Sequence, residues 1–171
     1  MPLAEELLDH ARLLANLDAH TTSQANIRRA ISAAYYAVFH FLSAAVAEQV
    51  SPGFPAGLRE CTQRVLGHSQ MFNVAKAFSQ QGKNEAKCLP KGFALPDPIS
   101  QELASVSNGF KDLQEARHAA DYDVLKQYNP GDELALVQQA EKIFKDWKTE
   151  RSSRNATVFL AAMIFGKDWN K

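Results

Sequence analysis

Apolar side chains recur along most of this chain at the three- and four-residue spacing of an α-helix. The longest stripe follows Thr21-Thr22-Ser23-Gln24, which has the form of a capping box, and neither Gly nor Pro interrupts it before Val50. Its apolar positions share one helix face: Ile27, Ile31, Ala34, Tyr35, Val38, Leu42 and Val46. The pattern predicts one long helix, which ends at the Ser51–Pro55 breaker.

The segments before and after this helix predict two shorter ones. A proline at a first helical position followed by regularly spaced leucines predicts a first helix from Pro2 to about His20. After the breaker, a less regular turn is expected around Leu58–Leu66, and a short helix from about His68 to Gln80. The Gly-, Pro- and Lys-rich stretch from Gln81 to Pro98 predicts a long loop.

Two similar start signals predict the remaining helices. Asp97-Pro98 resembles an N-cap followed by a first-turn proline, and the helix that it opens is expected to reach about Lys126. Asn129-Pro130 repeats the signal before a fifth helix. Strict alternation of apolar and polar residues never lasts for a strand length. The chain is therefore predicted to be all-α, an up-and-down bundle of about five helices with mostly antiparallel neighbours.

Length and composition narrow the class of protein. The 171 residues suffice for one domain, predicted over residues 1–150, with a C-terminal extension at 151–171 expected to dock on it. Lys plus Arg and Asp plus Glu number 19 each, so the chain lacks the basic excess of a dedicated DNA or membrane-surface binder, and any contact with nucleic acid must be local. Cys61 and Cys88 have no zinc-ligand spacing and predict reduced thiols.

The first residues of the sequence and its late apolar run predict a cytoplasmic protein without a membrane segment. The acidic start, with Glu5 and Glu6, lacks the basic region of a signal peptide. The late apolar run Val158–Phe165 is far shorter than the roughly 20 residues that cross a bilayer. Phosphate-binding glycine motifs, zinc-protease motifs and nucleophile elbows are not found in the sequence, and we expect neither a metal nor a cofactor.

Three segments together resemble the HEPN family. Arg28 to His40 carries an Ala-Tyr-Tyr-Ala signature, His68 to Phe78 resembles the family's short middle helix, and Leu113 to Tyr122 resembles its Leu-x-x-x-Arg-x-x-Ala-Asp-Tyr ending. In order and spacing, the resemblance covers roughly residues 1–148 and omits the tail from Glu150. It implies a helical bundle, commonly dimeric, in which two polar helix faces meet in one cleft.

The resemblance also implies how an active member would work and where this chain departs from it. The family's ribonucleases use an Arg and a His that are separated by four to six intervening residues, without a metal. The Arg stabilises phosphorane charge and the His moves the 2′-hydroxyl proton. Arg117 matches the Arg, but the positions where His belongs hold Tyr122, Asp123 and Val124. His118 is adjacent to Arg117, about 100° away around the helix, and cannot simply take the role of the family's His.

The candidate site residues lie on two helices. On the predicted second helix Tyr35 continues the apolar stripe and is expected in the core, whereas a polar stripe shares another face: Arg29, Ser32, Tyr36 and His40. Arg117 and Asp121 are four residues apart and are expected to pair, either as a purely structural ion pair or with Asp121 orienting a phosphate-binding Arg. The predicted ligand-binding residues are Arg29, Ser32, Tyr36, Arg117, Asp121 and Tyr122. His40 and His68 are the candidate bases if catalysis exists.

Three functional hypotheses remain. The first is a HEPN-like domain that binds nucleotide or RNA phosphate, as part of a toxin–antitoxin or defence system and beside a nucleotidyltransferase. The second is a metal-independent RNase whose His comes from another helix. The third is a structural dimerisation module without a ligand. We expect a homodimer, because the family implies one and because the long second helix has more apolar surface than one seam uses.

Overall fold

The computed structural model describes residues 2–17, 23–50, 52–79 and 88–171, and over these residues the chain forms seven helices and no strand. The helices are α1 (Pro2–Ala15), α2 (Gln24–Val50), α3 (Ala56–Arg64), α4 (His68–Ser79), α5 (Gln101–Tyr122), α6 (Asp132–Glu150) and α7 (Arg154–Phe165). The prediction of an all-α helical bundle is confirmed. The described part of the chain has two helices more than the five that the sequence pattern predicted.

The additional helices are α3 and α7. Helix α3 replaces the turn predicted around 58–66, and none of its residues is buried. Helix α7 lies in the C-terminal extension and begins after Ser153, whose hydroxyl accepts a hydrogen bond from the Ala156 N–H at 2.9 Å. It packs against α4, where the rings of Phe78 and Phe159 meet edge to face with centroids 5.1 Å apart. Several apolar residues of the tail, among them Phe159, Leu160 and Met163, are therefore buried on a packed helix.

The predicted start of α5 was wrong by a few residues. The residue that caps α5 is Ser100, whose hydroxyl accepts from the Leu103 N–H at 3.0 Å, while Asp97 pairs with Arg154. Both predicted starts relied on a proline after a capping residue. Neither α5 nor α6 begins directly after its predicted capping residue, because other polar groups take the capping role.

The start of α6 was also predicted too early. The helix begins at Asp132, after Gly131 has adopted a left-handed backbone conformation with φ of 100°. The Asn129 N–H donates to Asp132 Oδ2 at 2.8 Å. The chain therefore makes a turn between the predicted signal and the helix.

The start of α2 agrees in part with the predicted capping box. The Ser23 hydroxyl accepts from the Asn26 N–H at 3.2 Å, as an N-cap does, whereas Thr21 and Thr22 lie outside the described residues. Gln24 bonds instead to the backbone of Tyr128. At the other side of this connection, α1 ends at Ala15, and His20, its predicted limit, also lies outside the described residues.

The chain divides into two compact units. The first contains Met1–Phe41 and Gly109–Phe144, and the second contains Leu42–Asn108 and Lys145–Lys171. The first unit thus holds α1, the first two thirds of α2, the second half of α5 and most of α6. Its core includes Phe41 stacked on Phe144, with ring centroids 4.0 Å apart, and a cluster of buried residues: Ile27, Ile31, Ala120 and Tyr128.

Helix α2 is apolar and almost wholly buried. Among the described residues it is the one helix long and apolar enough to cross a membrane, but 89% of its apolar stretch is buried inside the protein, as in a core helix. The buried residues include every apolar position of the predicted stripe from Ile27 to Val46, and Tyr35 among them is fully buried. The expectation that Tyr35 belongs to the core is confirmed.

This burial removes one ground for the expected homodimer. We expected apolar surface on the long second helix beyond what one bundle seam uses, but its apolar side chains are buried within a single chain. That premise was wrong because the helix passes through two units and is covered in both. The homodimer itself stays a prediction, which now rests on the family resemblance.

Candidate functional site: a basic cleft in the first unit

An open cleft of about 740 Å³ lies in the first unit, between the N-terminal half of α2 and the C-terminal end of α5. All six residues predicted to bind a ligand line it: Arg29, Ser32, Tyr36, Arg117, Asp121 and Tyr122. The polar stripe on α2 and the Arg-x-x-x-Asp-Tyr segment on α5 therefore face the same space. Their role in binding stays a prediction.

The side chain of Arg117 is held in the cleft by a hydrogen bond, an ion pair and several aromatic rings. Its Nη2 donates to the Tyr36 hydroxyl at 2.8 Å, and its Nε lies 2.6 Å from Asp121 Oδ2. The guanidinium also lies over the rings of Tyr36, Tyr122 and Tyr35, at 5.3, 5.4 and 6.0 Å from their centroids. A cation enclosed by aromatic faces and a carboxylate has few conformations left to lose when a ligand arrives.

Asp121 links this guanidinium to α2. Its Oδ1 accepts a hydrogen bond from the buried Ser32 hydroxyl at 2.5 Å, while its Oδ2 faces Arg117. The side chains of Arg117 and Asp121 are only 18% and 22% exposed. The expected pairing of these two residues is confirmed, and the pair is joined to α2 through Ser32 as well as Tyr36.

The surroundings of Arg117 keep it charged. Burial lowers the pKa of its guanidinium, but Tyr36, Asp121 and Tyr122 together raise the pKa by more, so that it lies above its ordinary value. An arginine in this setting is a permanent cation and a hydrogen-bond donor. It does not accept or release protons near neutral pH.

A second set of contacts, which the sequence did not predict, builds the wall of the cleft. Arg28 donates to three main-chain carbonyls, one in the last turn of α5 and two just beyond it: Ala120 at 2.6 Å, Asp123 at 2.9 Å and Lys126 at 2.6 Å. A cation at a helix C-terminus also opposes the negative end of the helix dipole. Arg28 therefore fixes the segment 123–127.

Gln24 holds the next residue of the same segment. Its amide makes two hydrogen bonds to the backbone of Tyr128, donating to the carbonyl at 2.6 Å and accepting from the N–H at 3.0 Å. The Tyr128 ring in turn lies under the guanidinium of Arg28, 5.4 Å away. Together Gln24 and Arg28 position the two side chains that this segment contributes to the cleft, Val124 and Gln127.

The sequence contained a signal for Arg28 that was easy to miss. Arg28 and Arg29 are neighbours, so their side chains leave the helix about 100° apart and serve different purposes. The end of α5 leaves carbonyl groups without helical partners, and a cation of another helix is one of the few groups able to satisfy several of them. The residues that the structure adds to the predicted lining are Gln24, Ala25, Arg28, Ala120, Val124 and Gln127.

The cleft carries an excess of positive charge, although the whole chain is neutral. Three guanidinium groups and one carboxylate line it, which leaves two positive charges uncompensated. Arg117 is paired with Asp121, and Arg28 is bonded to carbonyls that carry no net charge. Arg29 is exposed and has no hydrogen bond or ion pair within the part of the chain that the structure describes. The arrangement favours an anion, with Arg29 as the cation most accessible to it.

The candidate bases lie outside the cleft lining. His40 stacks on the ring of Tyr36, with ring centroids 6.4 Å apart, and burial lowers the pKa of His40. His68 begins α4 in the second unit. His118 is exposed and contacts the ring of Tyr122, with centroids 5.0 Å apart, but does not line the cleft. Among the lining residues none is an imidazole.

Two further observations concern metal ligands and similarity to known proteins. Within the described ranges no three side chains of His, Cys, Asp or Glu stand together as they would around a metal ion. No family model matches this chain, and no curated protein or solved structure matches it either.

Proposed function

We propose that this chain is a HEPN-like domain that binds the phosphate of a nucleotide or of RNA in the basic cleft and does not cleave it. The observation that carries the proposal is the state of Arg117: a guanidinium fixed between Tyr36 and Asp121, beside the uncompensated charges of Arg28 and Arg29. Arg presents a planar fork of donors that suits phosphate oxygens, and fixing it in advance reduces the entropy lost on binding.

The size and charge of the cleft agree with such a ligand. A volume of about 740 Å³ is in the range of small-molecule sites and accommodates a nucleotide or a short stretch of a single strand. Because the chain as a whole is neutral while the lining of this cleft carries two uncompensated positive charges, the proposal is a local site and not a broad nucleic-acid surface.

The groups that line the cleft support the proposal that it does not catalyse cleavage. Transfer of the 2′-hydroxyl proton needs a base that titrates near neutral pH. The position where the resemblance would have His holds Tyr122, and a phenol hydroxyl is a poor general base for this step. Neither His40 nor His68 lines the cleft, so no observation favours an RNase with a displaced His.

The biological setting of the proposal rests on the resemblance alone. We propose a cytoplasmic homodimer that takes part in a toxin–antitoxin or defence system beside a nucleotidyltransferase. The binding activity does not depend on this setting and is tested separately.

The test is an equilibrium titration of the purified chain with AMP, ATP, a cyclic dinucleotide and a single-stranded RNA hexamer, with adenosine as the matched ligand that lacks phosphate. We expect binding of at least one phosphate-bearing ligand, no comparable binding of adenosine, and an affinity that falls as salt is raised, because the contact is electrostatic. If no phosphate-bearing ligand binds at low salt, the proposal is wrong and the third hypothesis, a module without a ligand, replaces it.

A further inference from the structure

One rim of the basic cleft is aromatic and apolar instead of charged. Tyr122, at the last position of α5, lines the cleft with 62% of its surface exposed. Val124, in the segment 123–127 that Arg28 fixes, is 80% exposed, and Leu125 beside it is 87% exposed. Three large apolar side chains within four residues are thus presented to solvent next to an anion-binding surface.

The Tyr122 ring is supported from within the protein and open on its outer side. The Arg117 guanidinium lies 5.4 Å from its centroid, and the His118 ring adjoins it at 5.0 Å with a tilt of 50°. The segment that bears Val124 is fixed by the three hydrogen bonds of Arg28. The ring therefore has little freedom to collapse onto the protein, and its exposed surface is held ready for a flat partner.

Charge and aromatic surface together indicate one kind of ligand. Inorganic phosphate or a sugar phosphate would use the guanidinium groups and leave Tyr122 in water. A nucleotide unit carries both an anion and a flat base, and a base stacked on an aromatic side chain beside a basic groove is the usual arrangement of single-strand binding proteins. Every base has a stacking face, so such a contact tolerates different sequences.

We propose that Tyr122 is a stacking platform for a nucleobase, so that the cleft selects base-bearing phosphates, whether free nucleotides or units of a single strand, over phosphates without a base. The base lies on the outer side of the Tyr122 ring, against Val124, and the phosphate lies towards Arg29. This inference rests on the proposed function and specifies the ligand of the same site.

The experiment compares four ligands and three proteins by equilibrium titration. The ligands are inorganic phosphate, ribose 5-phosphate, AMP and a single-stranded RNA tetranucleotide; the proteins are the wild type, Tyr122→Phe and Tyr122→Ser. We expect AMP to bind the wild type about ten- to a hundredfold more tightly than ribose 5-phosphate does, as stacking of one base contributes. Tyr122→Phe should keep this preference. In Tyr122→Ser the affinity for AMP should fall by more than the affinity for ribose 5-phosphate, so that the preference is lost.

Each other result has a definite meaning. If ribose 5-phosphate binds as tightly as AMP, or if Tyr122→Ser weakens both ligands equally, the stacking platform is wrong while the phosphate site stands. If no ligand binds, the proposed function itself fails. If Tyr122→Ser changes the molecular mass in light scattering and leaves the AMP preference intact, the rim is a contact between copies of the chain and the inference is overturned. A tetranucleotide that binds more tightly than AMP, with the same loss in Tyr122→Ser, assigns the site to a single strand, and equal affinities assign it to a free nucleotide.

Discussion

Replacing Arg29 by Gln removes the cation that an incoming phosphate would meet first. The side chain is exposed on α2, lines the cleft, and makes no ion pair or hydrogen bond within the described part of the chain. Glutamine keeps much of the length, the polarity and the helix preference of arginine. The substitution should therefore change the charge of the cleft and little else.

The expected magnitudes for folding and binding differ clearly. Substitution of an exposed residue without partners usually changes the free energy of unfolding by less than about 0.5 kcal/mol. A hydrogen bond between a cation and a phosphate is worth about 1.5–3 kcal/mol, which corresponds to roughly a tenfold to a hundredfold loss of affinity. One lost phosphate contact should also reduce the slope of log affinity against log salt by about 1.

The assay is fluorescence anisotropy with a labelled single-stranded RNA hexamer at several salt concentrations, accompanied by urea denaturation of each protein. Arg64→Gln is the matched control, since Arg64 is an exposed cation on α3, in the other unit, and its replacement changes the net charge by the same amount. We expect Arg64→Gln to bind like the wild type. Equal affinities of Arg29→Gln and Arg64→Gln, with both proteins folded, would refute the reasoning.

Three further predictions concern the residues around this cation. Arg117→Ala should lower the free energy of unfolding, measured by urea denaturation, by about 1–3 kcal/mol, because it leaves the partly buried carboxylate of Asp121 without its cation. An unchanged urea midpoint would show that the ion pair does not stabilise the fold. The wild type should not cleave single-stranded RNA above background in EDTA, and Tyr122→His is the single change that we most expect to create some cleavage. Wild-type cleavage abolished by His40→Ala or His68→Ala would show that the base is misplaced. Burial lowers the pKa of His40 below 6.5, so the contribution of neutral His40 to the free energy of unfolding is complete above pH 6.5 and is lost as the pH falls towards the folded-state pKa. His40→Gln should flatten this part of the curve of stability against pH, and an unaltered curve would contradict the prediction.

Helical periodicity was enough to predict the fold class and the faces of α2. A fully buried Tyr35 next to a half-buried Tyr36 follows from the 100° step between neighbours, and the sequence specified which of the two would face the polar side. The helix starts were harder to predict, because Ser100 takes the cap that Asp97 seemed suited to, and such competition between nearby polar groups depends on tertiary contacts.

The geometry of the site was predictable only where it is local. The pairing of Arg117 and Asp121 is an i, i+4 contact and could be inferred from one helix. Its low exposure could not, since burial depends on the approach of Tyr36 and Ser32 from another helix. For the same reason the role of Arg28 was missed: its carbonyl partners lie more than 90 residues further along the chain.

The measurement that tests the central claim most directly is a two-dimensional NMR titration of the ¹⁵N-labelled chain with AMP or the RNA hexamer. It reports the location of binding independently of its strength. The account predicts that backbone and arginine side-chain signals shift at 24–36 and 117–127, in the first unit, while those of α4 and α7 stay in place. Shifts confined to residues outside these two segments, or no shifts at millimolar ligand and low salt, would contradict it.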